Sequence, residues 1–271
     1  MPTPIDILLD PISLGVLALY GALMAWEALA PGRTLPMVKG WLPRALGSFS
    51  VYFCLSTYLP LIWDEHLAAF QLFDASGFST LSGAGIGLAV YELMVYVWHR
   101  AMHQTSWLFR SFHQMHHSAE RLDTFGAFYL SPLDMVGFTL VGSLSLSLVV
   151  GLNAQAITVF LFVTMFLGIF QHTNVKTPRW LGYVLQRPES HTIHHGKGVH
   201  KYNYSDLPVF DILFGTFRNP SGYEMETGFY QGASARVSDM LLCKDVTQPK
   251  RAEAAVVSAA GADAQRASLH R

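Results

Sequence analysis

The sequence predicts an all-α integral membrane protein, a helical bundle with about four to five membrane helices. Of its 271 residues, 51% are hydrophobic and 14% are charged, whereas soluble domains usually carry about a quarter charged residues. The mean hydropathy is +0.29, and several apolar runs approach the roughly 20 residues that a helix needs to cross a bilayer. The net charge of −1 gives no indication of a nucleic-acid partner.

The apolar runs define the predicted membrane helices in chain order. They cover residues 11–30, 45–63, 80–98, 133–151 and 154–171. The second is expected to kink or end near Pro60, because proline lacks the amide hydrogen that a helix interior uses. The third leads directly into His99. Only two residues separate the last two runs, which predicts a helical hairpin that returns to the same side of the membrane.

Loop charges predict the orientation of these helices. Residues 31–44 contain three basic residues and no acidic one, so we expect them in the cytoplasm. The N-terminus and residues 64–79 are acidic and are expected outside. Alternation then places residues 99–132, and everything after position 172, in the cytoplasm.

Three histidine motifs lie in these two cytoplasmic regions. They read His99-x-x-x-His103, His113-x-x-His116-His117 and His191-x-x-His194-His195, with His172 between the second and the third. Imidazole is a common neutral ligand for transition metals. Spacings of three and four residues place such rings on one face of a helix. The number of histidines indicates two metal ions, and the predicted orientation puts all of them on one membrane face.

The kind of metal follows from the ligand types. No cysteine motif is present, which argues against a structural zinc site or an iron–sulfur cluster. A zinc peptidase would carry HExxH, which is absent. Two irons with open coordination positions could activate dioxygen, whereas a haem would need only one or two axial histidines. The alternative is a haem- or metal-binding membrane electron carrier or transporter, although a transporter would place its ionisable ligands inside the spans.

The motifs also resemble a known family. The segments HRAMH, HQMHH, FQHTNV and HTIHH, followed by NYSDLPVFDILFGTF, are similar to the fatty acid hydroxylase/sterol desaturase superfamily over about residues 88–218. The sequence departs from the family pattern at Lys176, where some members have a second histidine. It also departs in the closing motif, at Tyr204-Ser205 and Phe210-Asp211.

The resemblance implies a membrane base with a cytoplasmic helical cap that holds two iron ions. It further implies dioxygen-dependent hydroxylation or desaturation of a lipid, with electrons from a reductase and a b-type cytochrome or ferredoxin. Zinc can replace the iron during purification. The implied ligands are His99, His103, His113, His116, His117, His172, His191, His194 and His195. The lipid, the choice between hydroxylation and desaturation, the electron donor and the oligomeric state all stay open.

Three regions are expected along the chain. Residues 1–79 form N-terminal membrane helices, and residues 80–245 form the hydroxylase-like region with further membrane helices and the histidine cap. Residues 246–271 are Ala-rich and polar and are expected to be a flexible tail.

A second set of residues is predicted at the edge of the metal site. Asn174 and His200 are candidate additional ligands, although a helix cap and a solvated loop histidine are the alternatives. Asp123, Glu189 and Asp211 are candidate acceptors of an imidazole N–H, with a surface salt bridge or a cap as the alternative. Glu92 lies inside a predicted span and is expected to face the site or to pair with a polar group.

Overall fold

A computed structural model describes residues 1–223 and 225–249. Within these residues every regular element is a helix, and the only β pairing is two isolated bridges. The predicted all-α fold is confirmed. The predicted flexible tail lies outside the described residues from position 250 onwards. Of its first four residues, Val246 is fully buried against the cap.

Eleven α-helices are described, most of the short ones after residue 104. They are α1 (Pro4–Leu9), α2 (Pro11–Leu29), α3 (Trp41–Ala68), α4 (Thr80–Gln104), α5 (Ser106–Leu108), α6 (Gln114–His117), α7 (Pro132–Ser143), α8 (Ala154–Phe170), α9 (Pro188–His194), α10 (Val209–Leu213) and α11 (Val237–Leu241). Two π-helical segments extend them: Phe109–His113 joins α5 to α6, and Leu144–Val150 continues α7.

Four helices are long and apolar enough to cross a membrane. They are Pro11–Leu29, Trp41–Ala68, Thr80–Gln104 and Pro132–Val150, the last formed by α7 with its π-helical extension. The fifth predicted span, α8, is a shorter apolar helix. Helix α3 does not end near Pro60 but continues to Ala68, because a single proline is tolerated within a membrane helix. The chain is a multi-pass membrane protein.

The bundle core is formed by two helix pairs, α4 with α8 and α3 with α7. The predicted hairpin between α7 and α8 is present. Gly151 turns the chain with φ +60, a left-handed conformation that favours glycine, and the side chain of Asn153 caps α8 by accepting the amide of Ala156 at 2.9 Å.

Residues 105–131, 171–223 and 225–249 form a cap of short helices and turns beyond one end of the bundle. Glu27, near the end of α2, connects both parts of the cap to the membrane helices. Its carboxylate accepts the backbone N–H of Thr124 at 2.8 Å and that of Asn174 at 3.0 Å. This contact fixes the two histidine-bearing segments of the cap relative to each other.

Candidate metal centre

The nine predicted histidines converge in two adjacent groups. In each group, one nitrogen from every ring lies within 4.8 Å of the others. The first group, called group A, contains His99, His103, His113, His117 and His194. The second, group B, contains His116, His172, His191 and His195. These side chains come from the end of α4, from the segment through α6, from the turn after α8, and from α9.

Helical spacing explains which histidines of a motif stay together. Residues four apart lie nearly above one another on a helix, and each such pair stays within one group: 99 with 103, 113 with 117, and 191 with 195. His116 and His194 lie one residue before the last member of their motif, and each belongs to the opposite group. Both HxxHH motifs contribute to both groups.

The distances between ring nitrogens suit shared metal ions. His99 Nε2 lies 2.8 Å from His113 Nε2 in group A. In group B, His172 Nε2 lies 3.0 Å from the Nε2 atoms of both His116 and His191. Two nitrogens at right angles around an ion, each bonded at about 2.1 Å, are roughly 3 Å apart. The groups adjoin, since the rings of His117 and His195 stack with centroids 4.2 Å apart.

Burial keeps the imidazoles of the cap neutral. It lowers the pKa of His172 to about 4. It also lowers the pKa of the other cap histidines of both groups well below the usual 6.5, and neighbouring imidazoles reinforce the effect because two adjacent positive charges repel. Only the neutral ring has a free lone pair for a metal. These donors are therefore in their ligating form at neutral pH.

Several buried ring nitrogens have no hydrogen-bond partner among the described residues. They are Nε2 of His103, His117 and His194, and Nδ1 of His116, His191 and His195. A buried polar atom without a partner is costly and needs an explanation. In group A, His117 and His194 use Nδ1 for contacts on the outside of the site, so Nε2 stays available inside. The unpaired Nε2 atoms of His103, His117 and His194 fit a transition metal in group A. In group B the Nε2 atoms are the ones that converge, and the unpaired Nδ1 atoms are the other nitrogens of those rings.

Four of the histidines have an acceptor at Nδ1, the ring nitrogen that faces away from the site, and this contact fixes the orientation of the ring. His113 Nδ1 lies 2.7 Å from Asp134 Oδ2, and both side chains are buried. Three backbone carbonyls serve in the same way, each 2.7 Å from an Nδ1 atom. They are Tyr204 O for His99, Tyr202 O for His194 and Gly168 O for His172. Such contacts select the tautomer that leaves Nε2 for the metal.

Asp134 is not among the residues predicted from the sequence. It lies in the first turn of α7, inside a membrane-length helix. An acidic residue within an apolar span is costly and is by default a functional candidate. That signal is present in the sequence and is sufficient to identify Asp134.

Two of the five additional candidates lie beside the metal centre. His200 belongs to neither group, but its Nδ1 is 3.0 Å from His117 Nδ1, and burial lowers its pKa to about 4. Asp211 contacts no imidazole in the structure. Its carboxylate accepts the backbone N–H groups of Tyr204 and Ser205 at 2.9 and 3.0 Å, which positions the Tyr204 carbonyl against His99.

The other three candidates have structural contacts elsewhere. Asn174 donates to the carbonyl of Arg33 at 2.7 Å and joins the cap to the segment after α2. Asp123 accepts the indole N–H of Trp41 at 3.0 Å. Glu189 accepts the backbone N–H of Thr177 at 2.8 Å and lies 3.5 Å from the Arg187 guanidinium. None of these three contacts a histidine of the two groups in the structure.

Glu92 pairs with a polar group, one of its two expected roles. It is fully buried in α4, and its Oε2 accepts the backbone N–H of Leu207 at 2.9 Å. With Asp211, it therefore anchors the closing segment of the cap against the helix that carries His99 and His103.

The metal centre is accessible from the cap. A cavity of about 420 Å³ reaches His103 and is lined on its other sides by Phe109, Phe229, His200 and Lys197. Small molecules can therefore approach group A from this side.

Comparisons with known proteins agree with the site. Residues 84–216 match the family model for fatty acid hydroxylase. This segment runs from α4 to the residues just after α10 and includes every histidine of groups A and B.

Individual relatives are more distant. The chain is 25% identical to cholesterol 25-hydroxylase of Rattus norvegicus, over 51% of this chain and 47% of the relative. It is 30% identical to a very-long-chain aldehyde decarbonylase of Oryza sativa subsp. indica, over 61% and 30% of the two chains. It is 26% identical to sphinganine C4-monooxygenase 1 of Arabidopsis thaliana, over 53% and 57%.

The matched segments thus span about half, or less, of the length of most of these relatives. No solved structure matches the chain.

Proposed function

Because residues 84–216 match the fatty acid hydroxylase family, we propose that this chain is a membrane-bound, non-haem di-iron oxygenase that hydroxylates or desaturates a C–H bond of a lipid. The observation that carries the proposal is the pair of buried all-histidine groups at the end of membrane helix α4. A reactive site at that position is within reach of a molecule dissolved in the bilayer.

The proposed ligands are the five histidines of group A for one ion and the four of group B for the other. Bound iron would supply activation of dioxygen toward a C–H bond, with electrons from a reductase and a b-type cytochrome or ferredoxin. The protein's part is to keep the imidazoles neutral by burial. Asp134 and the carbonyls of the closing segment hold their orientation.

The proposed orientation places the cap in the cytoplasm. The segment before α3 carries Arg33 and Lys39 and no acidic residue, whereas Asp64 and Glu65 at the end of α3 and Asp74 after it are acidic. This distribution favours a cytoplasmic cap, where soluble reductases and ferredoxins are found. The lipid would enter from the membrane and the electrons from the opposite side.

The test replaces one ligand from each group. His116→Ala in group B and His194→Ala in group A should each abolish product formation. The control is His66→Ala, because His66 is exposed near the end of α3 and far along the chain from the motifs. The measurement is lipid mass spectrometry of cells with and without the gene. A gain of one oxygen or a loss of two hydrogens would identify the substrate and the reaction together.

Two results would contradict the proposal. One is near wild-type product in His116→Ala or His194→Ala. The other is a lipid profile that the gene does not change although the protein is folded and loaded with iron, as measured by elemental analysis.

A further inference from the structure

A second cavity lies on the membrane side of the cap, between α3, α7 and α11. It has a volume of about 230 Å³, and nearly all of its lining is apolar. Gly47 and Val51 of α3 form one wall, and Leu241 of α11 forms another. Val51 and Leu241 are exposed, so this groove opens on the protein surface, where membrane helix α3 meets α11 of the cap.

The apolar groove has one cationic residue in its lining, Arg44. The Arg44 side chain donates to the carbonyl of Lys39 at 2.9 Å and to Ser234 Oγ at 3.3 Å. Its Nε is buried without a partner. Among the described residues no carboxylate lies within 4 Å of its guanidinium. The nearest acidic group along the network is Glu120, which binds the far side of Ser234.

Two methionines that line the groove are sequence neighbours of residues of the histidine site. These are Met115 and Met135. Met115 immediately precedes His116 of group B, and Met135 immediately follows Asp134, which holds His113. A chain lying in the groove would therefore reach the immediate sequence neighbours of both histidine groups.

We infer that this groove binds the acyl chain of a lipid whose anionic headgroup, a carboxylate or a phosphate, is recognised by Arg44. A guanidinium with unused donors forms short, charge-assisted hydrogen bonds with either oxyanion. The position of Arg44 in the first turn of membrane helix α3 is at headgroup depth. The inference rests on the proposed function and specifies the substrate class of the same site.

Gly47 allows the groove to be filled without disturbing the fold. A Cβ added to Gly47 would meet no atom within 4 Å, and the same is true of Gly85 in α4, which does not line the groove. Gly47→Phe should block the groove, and Gly85→Phe is the matched control. Arg44→Gln removes the charge, Arg44→Lys retains it, and exposed Arg179→Gln is the control for loss of a surface cation.

Binding is measured by native mass spectrometry of the purified, iron-loaded protein with four probes. Oleate and oleoyl lysophosphatidate are anionic, while oleyl alcohol and monoolein carry the same chain without charge. We expect both anionic probes to bind at least roughly tenfold more tightly than the neutral ones. Arg44→Gln should remove this preference and Arg44→Lys should retain most of it. Gly47→Phe should weaken the binding of all four probes. The control variants, Gly85→Phe and Arg179→Gln, should bind every probe as the wild type does. The more tightly bound acid identifies the headgroup.

Equal binding of charged and neutral probes to the wild type would overturn the inference. So would an undiminished preference in Arg44→Gln, or unchanged oleate binding in Gly47→Phe. Lipid conversion by the same variants separates this outcome from failure of the proposed function. If the wild type converts lipid and Gly47→Phe converts it equally well, the groove assignment is wrong and the function stands. If the probes bind as expected but the wild type converts no lipid in cells that supply a reductase with a ferredoxin or b-type cytochrome, the function is wrong and the groove stands.

Discussion

Each imidazole has one nitrogen that faces into the site and one that faces away from it. A hydrogen bond at the second nitrogen, called the outer nitrogen, fixes the orientation of the first toward a metal. A carboxylate acceptor does this more strongly than a carbonyl, because its negative charge also raises the basicity of the ring. Among the histidines of the two groups, the outer nitrogen of His113 is hydrogen-bonded to a carboxylate, that of buried Asp134. Asp134 is thus a positioning residue for group A.

Replacement of Asp134 should weaken metal binding. In Asp134→Asn we expect the metal affinity of the folded protein to fall by about 10-fold or more, since removal of such an acceptor typically costs 10- to 100-fold. The measurement is a chelator competition titration followed by the metal content of the folded protein.

Asp123→Asn is the matched control, because Asp123 is equally buried but bonds to the indole of Trp41. Asp123→Asn should lower the stability of the protein without changing the chelator concentration at which half of the metal is removed, the midpoint of the titration. An unchanged midpoint in Asp134→Asn, or an equal shift in both variants, would contradict this role of Asp134.

The residues of the candidate site are predictable from sequence only where their type and spacing carry the information. The nine histidines stand out because three motifs recur with helical spacing. The roles of the carbonyls of Tyr202 and Tyr204 cannot be predicted, since every residue has a carbonyl and only the folded chain selects one. Asn174 and Glu189 are reasonable candidates by position, but their partners in the structure are not histidines of the two groups.

At the level of elements, a short 3₁₀ turn determines how the cap meets the membrane helices. This turn, Thr124–Gly126, packs against the first residue of α3. A Cβ on Gly126 would overlap the six-membered ring of Trp41. That ring cannot move freely, because its N–H is bonded to Asp123 and it packs on Tyr129 with centroids 5.1 Å apart.

Gly126→Ala should therefore destabilise the protein by about 1–3 kcal/mol, the usual cost of overpacking a rigid core position. Thermal unfolding in detergent should show a lower Tm. The control is Gly85→Ala in α4, where the added methyl group meets no atom within 4 Å and alanine favours the helix. A Tm for Gly126→Ala at or above that of the control would show that the turn can move away from α3.

Element prediction succeeds where hydrophobic length decides and fails where local geometry decides. The apolar runs locate the membrane helices within a few residues. Pro60 has the local chemistry of a helix end, but the surrounding apolar run of α3 outweighs its effect. The π-helical segments Phe109–His113 and Leu144–Val150 leave no composition signature. The division of each HxxHH motif between two groups depends on how the neighbouring helices pack, which periodicity alone does not contain.

At the level of the whole molecule, the orientation in the membrane is a direct prediction of the loop charges. The chain's two cysteines make it testable, since Cys54 is on the surface of membrane helix α3 and Cys243 lies in the cap. With Cys54→Ser, a membrane-impermeant maleimide should label Cys243 only after the cells are permeabilised. In a cysteine-free background, Asp74→Cys, between α3 and α4, should be labelled in intact cells. The reverse labelling pattern would show that the cap faces outside.

The exchange of histidines between the two groups has a consequence for metal loading. His116 and His117 are adjacent in the chain but belong to different groups, as do His194 and His195. An ion in group A would therefore order the backbone that also presents half of group B, so a second ion would bind ligands that have already lost their conformational entropy. Loading should be cooperative, with the half-filled protein a minor species, and the protein would hold either two ions or none under most conditions.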